Sequence, residues 1–425
     1  MYGESDMQRN VLVFNDEWRR FGALPAVAAL GYATSVIHIY GLGPYIEPLQ
    51  EAFGWSRAQA TSGLTIATII NAIFCVGIGL LVDRIGPRLV GLIGVVLTCG
   101  AFSLLSLANG DTGQWLLLWG ILAFATLPVQ ATVWTGAVAS RFTDSRGMAL
   151  AVTLSGASLA AALFPFVATW LIDAYGWRRA FMLEAGIWLA FTFPFLLFFF
   201  RGARDDASTL QTVASDGPRS PQELEGVEIM EGFTSWVFVR LFFSSIIFTF
   251  CIIALVVHFV PILTAAGTDR LTAAGITSLV GLASVLGRLG TGFLLDRFNA
   301  ARVGATIFLL PILACLLLIF ADPQSYSQSF AAFIIGLTLG SEIDVIVYLT
   351  TRHFGMKNFG AIYGGLLTAL SIGTATGPLA AAALFDQFGS YEPFLTATIV
   401  LMLFSSWALV GLTPPAIALE NDNRK

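Results

Sequence analysis

The same landmarks recur about 213 positions apart along this chain. Pro48 pairs with Pro261, Gly54 with Gly267, Gly77 with Gly290 and Gly79 with Gly292. Asp83-Arg84 pairs with Asp296-Arg297, Gly147 with Gly360, Asp173 with Asp386 and Phe181 with Phe394. One register carries all of these, so the fold must be built twice. Each half is strongly apolar. The chain is 56% hydrophobic and 12% charged, where a soluble domain carries about 25% charge. So little polar surface cannot cover a fold in water, and lipid is the solvent that suits it.

A helix needs about 20 mostly apolar residues to cross a bilayer. Twelve such runs are legible, over about 21–45, 58–80, 88–108, 114–139, 147–171, 179–200, 235–264, 271–295, 301–321, 326–350, 359–384 and 392–412. The pattern predicts an all-α polytopic membrane protein with two pseudo-symmetric six-helix bundles, at 1–200 and 234–425. Between them, 201–233 reads as a polar, flexible cytoplasmic linker. The polar stretch 1–20 does not have the form of a cleavable signal, so the run from Phe21 is expected to stay as a span. With both termini in the cytoplasm, sixteen of the 22 Lys and Arg residues fall on cytoplasmic segments. Only Arg57, Arg178, Arg179 and Arg270 fall on the other side, and Arg240 and Arg288 lie within spans. This asymmetry predicts both ends inside a cell membrane, the inner membrane in a bacterium.

Several classes lose ground. No basic patch suits nucleic acid. Cys75, Cys99, Cys251 and Cys315 sit in apolar runs without a CxxC pair, and three scattered histidines make no metal site. There is no HExxH, GxSxG or clustered acid/base set, so neither an enzyme nor a cofactor is expected. Duplicated apolar halves do mark many secondary transporters, with the substrate site near the midplane.

Gly79-Leu-Leu-Val-Asp83-Arg84-Ile-Gly86-Pro-Arg88 resembles the signature loop of the major facilitator superfamily, G-x-x-x-D-R-x-G followed by basic residues. The second half keeps a worn copy in Gly292, Asp296, Arg297 and Arg302, with Asn299 where glycine would stand. Asp83, just past a helix end, is placed to pair with an arginine and cap a neighbouring helix N-terminus, a conformational latch. Its members are Gly79, Asp83, Arg84, Gly86, Arg88, Asp296 and Arg297. Within the superfamily the chain looks most like the monocarboxylate transporter and oxalate:formate antiporter group. The likeness rests on Gly43-Pro-Tyr-Ile-Glu-Pro-Leu to Phe53-Gly-Trp-Ser-Arg57, on Arg141-Phe-x-x-x-Arg146-Gly, on Leu171-Ile-Asp-Ala-Tyr-Gly176-Trp-Arg-Arg-Ala-Phe181, and on Arg288-x-x-x-Gly292-x-x-x-Asp296. The resemblance implies that Arg288 binds a substrate carboxylate and that the protein works as a monomer. The animal branch carries an aspartate where Ser284 stands and a lysine where Tyr40 stands. The fifth span lacks the glycine and proline pattern of drug antiporters, with Ala160-Ala161 in its place.

Arg288 lies eight residues before Asp296, about 12 Å inside the membrane face. Glu342 and Asp344 stand at similar depth on the tenth span, about 200° apart around it, so they cannot both face one partner. Buried charge at that depth needs water or a partner. Substrate binding is expected from Arg288 with Tyr40, His38, Asn71, Gln130, Ser284 and Ser371, and proton coupling from Asp344, Glu342 and His258. Glu47 and Glu184 are expected near the outer face, in reach of water. The reading is proton symport of small organic anions, monocarboxylates first, by alternating access, with anion exchange as the alternative and a carrier of neutral solutes or drugs, or a carboxylate sensor that transports nothing, ranked below it.

Overall fold

The computed structural model describes residues 16–203, 226–320 and 326–412. Most of the linker, and Arg9, Arg204, Arg219, Arg424 and Lys425 of the charge asymmetry, lie outside the described residues. The described residues up to 226, with 356–364, form one compact unit, and those of 227–355, with those from 365 on, form another.

The described chain is helical, with no sheet. In order come α1 (Ala23–Ser35), α2 (Ile37–Tyr40), α3 (Ile46–Phe53), α4 (Arg57–Ile85), α5 (Pro87–Leu104), α6 (Thr112–Thr126), α7 (Ala131–Ala139), α8 (Arg146–Leu154), α9 (Gly156–Tyr175), α10 (Trp177–Phe199) and α11 (Ile229–Thr234). They are followed by α12 (Trp236–Ala265), α13 (Arg270–Arg297), α14 (Ala300–Phe320), α15 (Ser327–Phe354), α16 (Phe359–Phe388) and α17 (Glu392–Val410). Among the described residues, eleven helical segments are long and apolar enough to cross a membrane, and α1 is a shorter apolar helix. Large apolar side chains such as Ile73, Leu282 and Leu379 point outward, as lipid-facing surface does.

Three predicted rods are broken. The run over 21–45 ends as α1 at Ser35, resumes as α2, and passes through a 3-10 turn at Gly43–Tyr45, where Pro44 has no N–H to continue a helix. The fourth run breaks at Pro128 into α6, a 3-10 turn at Leu127–Val129 and α7. Side chains satisfy the freed carbonyls there: the Trp134 indole donates to Val129 at 2.7 Å and the Thr98 hydroxyl to Ala125 at 2.9 Å. The fifth run breaks at Ser155, whose hydroxyl turns back onto the Ala151 carbonyl. Inside the stretch read as flexible linker, residues 229–234 are helical (α11), because apolar Phe233 packs edge-on against Phe238.

The repeat survives in backbone conformation. Gly54 and Gly267 both have positive φ (68° and 96°), as do Gly176 and Gly389 (77° and 67°), each pair 213 apart. Gly86, at φ 87° and ψ 152°, joins α4 to α5 in a region open only to glycine. Asn299 stands at the repeat-related place in the second unit, and the turn there needs no positive φ.

Candidate functional site

The second unit's site begins with small residues. Gly336 and Gly340 on α15 meet the backbone of Val280 and Ser284 on α13, and Gly287 on α13 meets that of Leu337. Any Cβ at these three places would collide with main chain, so the two helices touch backbone to backbone. This approach brings Arg288 and Asp344 together: Arg288 Nη1 donates to Asp344 Oδ2 at 3.2 Å, with the residues 6% and 1% exposed. One turn on, the Thr291 hydroxyl donates to Ser341 at 2.7 Å, and Ser341 bonds back to the Leu337 carbonyl. Arg288 Nε and Asp344 Oδ1 are buried without a hydrogen-bond partner among the described residues. A buried guanidinium with one idle edge, beside a carboxylate with one idle oxygen, is a half-used binding fork.

Glu342 turns to another face of α15 and accepts a 2.6 Å hydrogen bond from Thr249 of α12. Thr249 was not singled out in the sequence, where it is one hydroxyl in a very apolar run. Ser284 and Ser371 spend their hydroxyls on carbonyls of their own helices, Gly281 and Leu367. His258 sits between Pro378 and Tyr391, with Nε2 3.0 Å from the Pro378 carbonyl and Nδ1 3.0 Å from the Tyr391 hydroxyl. A carbonyl only accepts, so Nε2 donates to Pro378, while Nδ1 and the Tyr391 hydroxyl share the second hydrogen bond.

In the first unit, His38 is buried against the Trp119 ring, and its Nδ1 finds no hydrogen-bond partner among the described residues. Tyr40 is exposed, the buried Oδ1 of Asn71 likewise finds none among the described residues, and the Gln130 amide lies 3.4 Å from the Thr126 carbonyl at the Pro128 break. Glu47 is exposed, whereas Glu184, expected in reach of water, is 1% exposed and accepts from the Tyr45 hydroxyl at 2.8 Å. The break in the first run folds the aromatic Tyr45 over it, stacked on Phe181.

The signature loop also lies in the first unit. Asp83 accepts from the N–H groups of Gly360 and Ala361, at 3.1 and 3.0 Å, capping the first turn of α16. Gly79 and Gly360 are reciprocal: a Cβ on either would strike the other's carbonyl. Arg88 donates to the Leu197 carbonyl in the last turn of α10 at 2.8 Å, Arg84 is exposed, and Arg297 stacks over Phe293. Asp296 is half-buried near the end of α13.

Glu17, which sequence reasoning passed over, clasps the loop before α8. Its carboxylate accepts from the Thr143, Asp144 and Ser145 N–H groups and from the Thr143 and Ser145 hydroxyls, at 2.7–3.2 Å. Partial burial raises its pKa, but the Ser145 and Thr143 hydrogen bonds outweigh that and hold it below the ordinary 4.5.

A family model described as Major Facilitator Superfamily matches residues 28–364. The chain belongs to the major facilitator superfamily. The "MFS transporter asaE" of Aspergillus flavus is 24% identical over 280 residues, 65% of this chain and 58% of that protein, so the chain spans little more than half of that relative. The "4-hydroxybenzoate transporter PcaK" of Pseudomonas putida is 26% identical over 410 residues, 89% of each chain. Among solved structures, the human organic anion transporter MFSD10 (TETRAN) superposes with a TM-score of 0.67 at 18% identity, covering 91% of this chain and 99% of its own. That likeness carries the fold. The superfamily member described here is a multi-pass membrane protein, and its relatives are transporters.

Proposed function

We propose that this superfamily member moves small organic monocarboxylates across a cell membrane together with a proton, by alternating access, as a monomer with both termini in the cytoplasm. The buried Arg288–Asp344 pair carries this reading. A substrate carboxylate taking the idle edge of Arg288 competes with Asp344 for the guanidinium. Asp344, once displaced, would be an unpaired charge at 1% exposure, which costs several kcal/mol unless a proton neutralises it. Loading the anion therefore favours loading the proton, and each raises the site's affinity for the other. Glu342, held by Thr249, is the second acceptor for that proton. His258, with both ring nitrogens already hydrogen-bonded, has the weaker claim of the three candidates. PcaK, named for 4-hydroxybenzoate, is a relative over nearly the full length whose named substrate is itself a monocarboxylate. We read the Asp83 cap on Gly360 and Ala361 as a latch on one conformational state.

The test is uptake of labelled aliphatic and aromatic monocarboxylates into proteoliposomes under an inward pH gradient, with a trapped dye reporting internal pH. Wild-type protein accumulates substrate and acidifies the lumen. Arg288→Ala, folded by its melting curve, does not accumulate it; undiminished uptake by that variant refutes the assignment. Transport only against a preloaded anion, without acidification, replaces symport by exchange.

A further inference from the structure

Arg240 is the other arginine that the sequence places inside a span, and the candidate site makes no use of it. It stands one turn beyond Trp236, the first residue of α12, hence about 6 Å further along the helix. Its Nη1 donates at 2.6 Å to the carbonyl of Gly411, the C-cap of α17. No carboxylate pairs with it among the described residues. A cation at the edge of the hydrocarbon needs an anion or water.

The guanidinium borders a groove of about 580 Å³ between α12 and α17, a volume within the roughly 300–1,000 Å³ of small-molecule sites. Trp236, Arg240 and Phe243 follow one another at i, i+4 and i+7 along one face of α12. Phe404, Trp407 and Gly411 do the same at i, i+3 and i+7 along α17. Trp236 and Trp407 are 72% and 68% exposed, on helices whose lengths and composition put them in a bilayer. Beside the groove, the Ser244 and Ser405 hydroxyls meet at 2.7 Å and fix the spacing of the two helices. The result is a fixed apolar slot, open to lipid, with one cation at the end where tryptophan marks the headgroup level.

We propose that this groove is a binding site for an acidic glycerophospholipid, with its acyl chains along the apolar walls and its anionic headgroup on Arg240. The charge decides the occupant: a purely apolar slot would accept any lipid, whereas a guanidinium with a single neutral acceptor selects net negative charge.

The test uses purified full-length protein in phosphatidylcholine bilayers doped with equal fractions of dibrominated phosphatidylglycerol or dibrominated phosphatidylcholine, read by tryptophan quenching. The brominated phosphatidylglycerol quenches at lower mole fraction, and its advantage disappears when Trp236 and Trp407 are both replaced by Phe. Arg240→Gln lowers the apparent affinity for it about fivefold, the weight of one basic side chain against an anionic headgroup, while Arg240→Lys keeps most of it. Equal quenching by the two lipids in the wild type overturns the site, as does an Arg240→Gln protein that keeps the preference. A disulfide between two copies of Trp407→Cys at low protein-to-lipid ratio also overturns it, because a second copy then covers the groove. Should Arg240→Gln not fold, the wild type and the double Trp→Phe protein decide alone. None of these outcomes depends on which solute is transported.

Discussion

Replacing Gly340 by Ala tests whether helix contact sets the Arg288–Asp344 pair. The added Cβ would lie 2.7 Å from the Ser284 carbonyl carbon, and nearer still to its oxygen, where ordinary contact begins at 3.4 Å. The shortfall is 0.7 Å on the carbon alone, so α13 and α15 must part by about 1 Å. The obstacle is backbone, which has no rotamer to change. Moving the helices apart by that amount stretches the 3.2 Å ion pair to about 4 Å, past hydrogen-bonding range. Losing a charge-assisted hydrogen bond costs about 1.5–3 kcal/mol, and overpacking a further 1–3 kcal/mol or so, giving a destabilisation of about 2–6 kcal/mol. Gly290 and Gly281 on α13 face open space, so alanine there should stabilise by up to about 1 kcal/mol. Thermal unfolding in detergent, followed by tryptophan fluorescence, reads all three variants, and uptake reads the site. A Gly340→Ala protein that melts at or above the wild-type temperature, with unchanged monocarboxylate KM, refutes the claim that this contact positions the pair.

Glu17 has a depressed pKa in the folded protein, so its contribution is present above the ordinary 4.5 and fades as pH falls through the lower folded value; Glu17→Gln should lower stability by about 1 kcal/mol at pH 7, as a lost helix-capping side chain does, and its deficit against the wild type should shrink as the pH of the same melts is lowered below that range. Gly86→Ala forces a side chain into φ 87° and ψ 152° and should destabilise by about 1–3 kcal/mol, whereas Gly77→Ala, facing open space, should not. Thr249→Val removes the hydroxyl that donates to Glu342 and leaves its buried carboxyl without that hydrogen bond; a loss of about 1–3 kcal/mol and a shifted pH profile of uptake are expected, and an unchanged profile removes Glu342 from the proton path.

The fold was legible because its signals are long. Runs of about 20 apolar residues, repeated landmarks and the Asp83 loop each specify architecture without neighbours being known, and the fold class follows from them. The break at Pro128 could be read from the proline itself, but those at Val36 and Ser155 were harder to see, since apolar composition runs straight through them and only local hydrogen bonding ends the helix. The site was legible where charge is scarce: Arg288 and Asp344 stand out because an apolar span can ill tolerate them. Thr249, Glu17 and the burial of Glu184 were not legible, because each depends on a partner 93, 126–128 or 139 residues away. Hydroxyls and carboxylates near helix ends occur throughout the sequence, and only the folded chain shows which ones meet.

The one-to-one meeting of Arg288 and Asp344 has an energetic consequence. Empty, the pair is neutral; loaded with a monoanion and one proton, on the proposed cycle, it is neutral again. Neither limb then moves net charge, and a membrane potential, which acts with about 2.3 kcal/mol per elementary charge per 100 mV, performs no work on the cycle. The pH difference alone would drive accumulation, about tenfold for each unit across the membrane. A cell that collapses its voltage while keeping its pH gradient would go on filling.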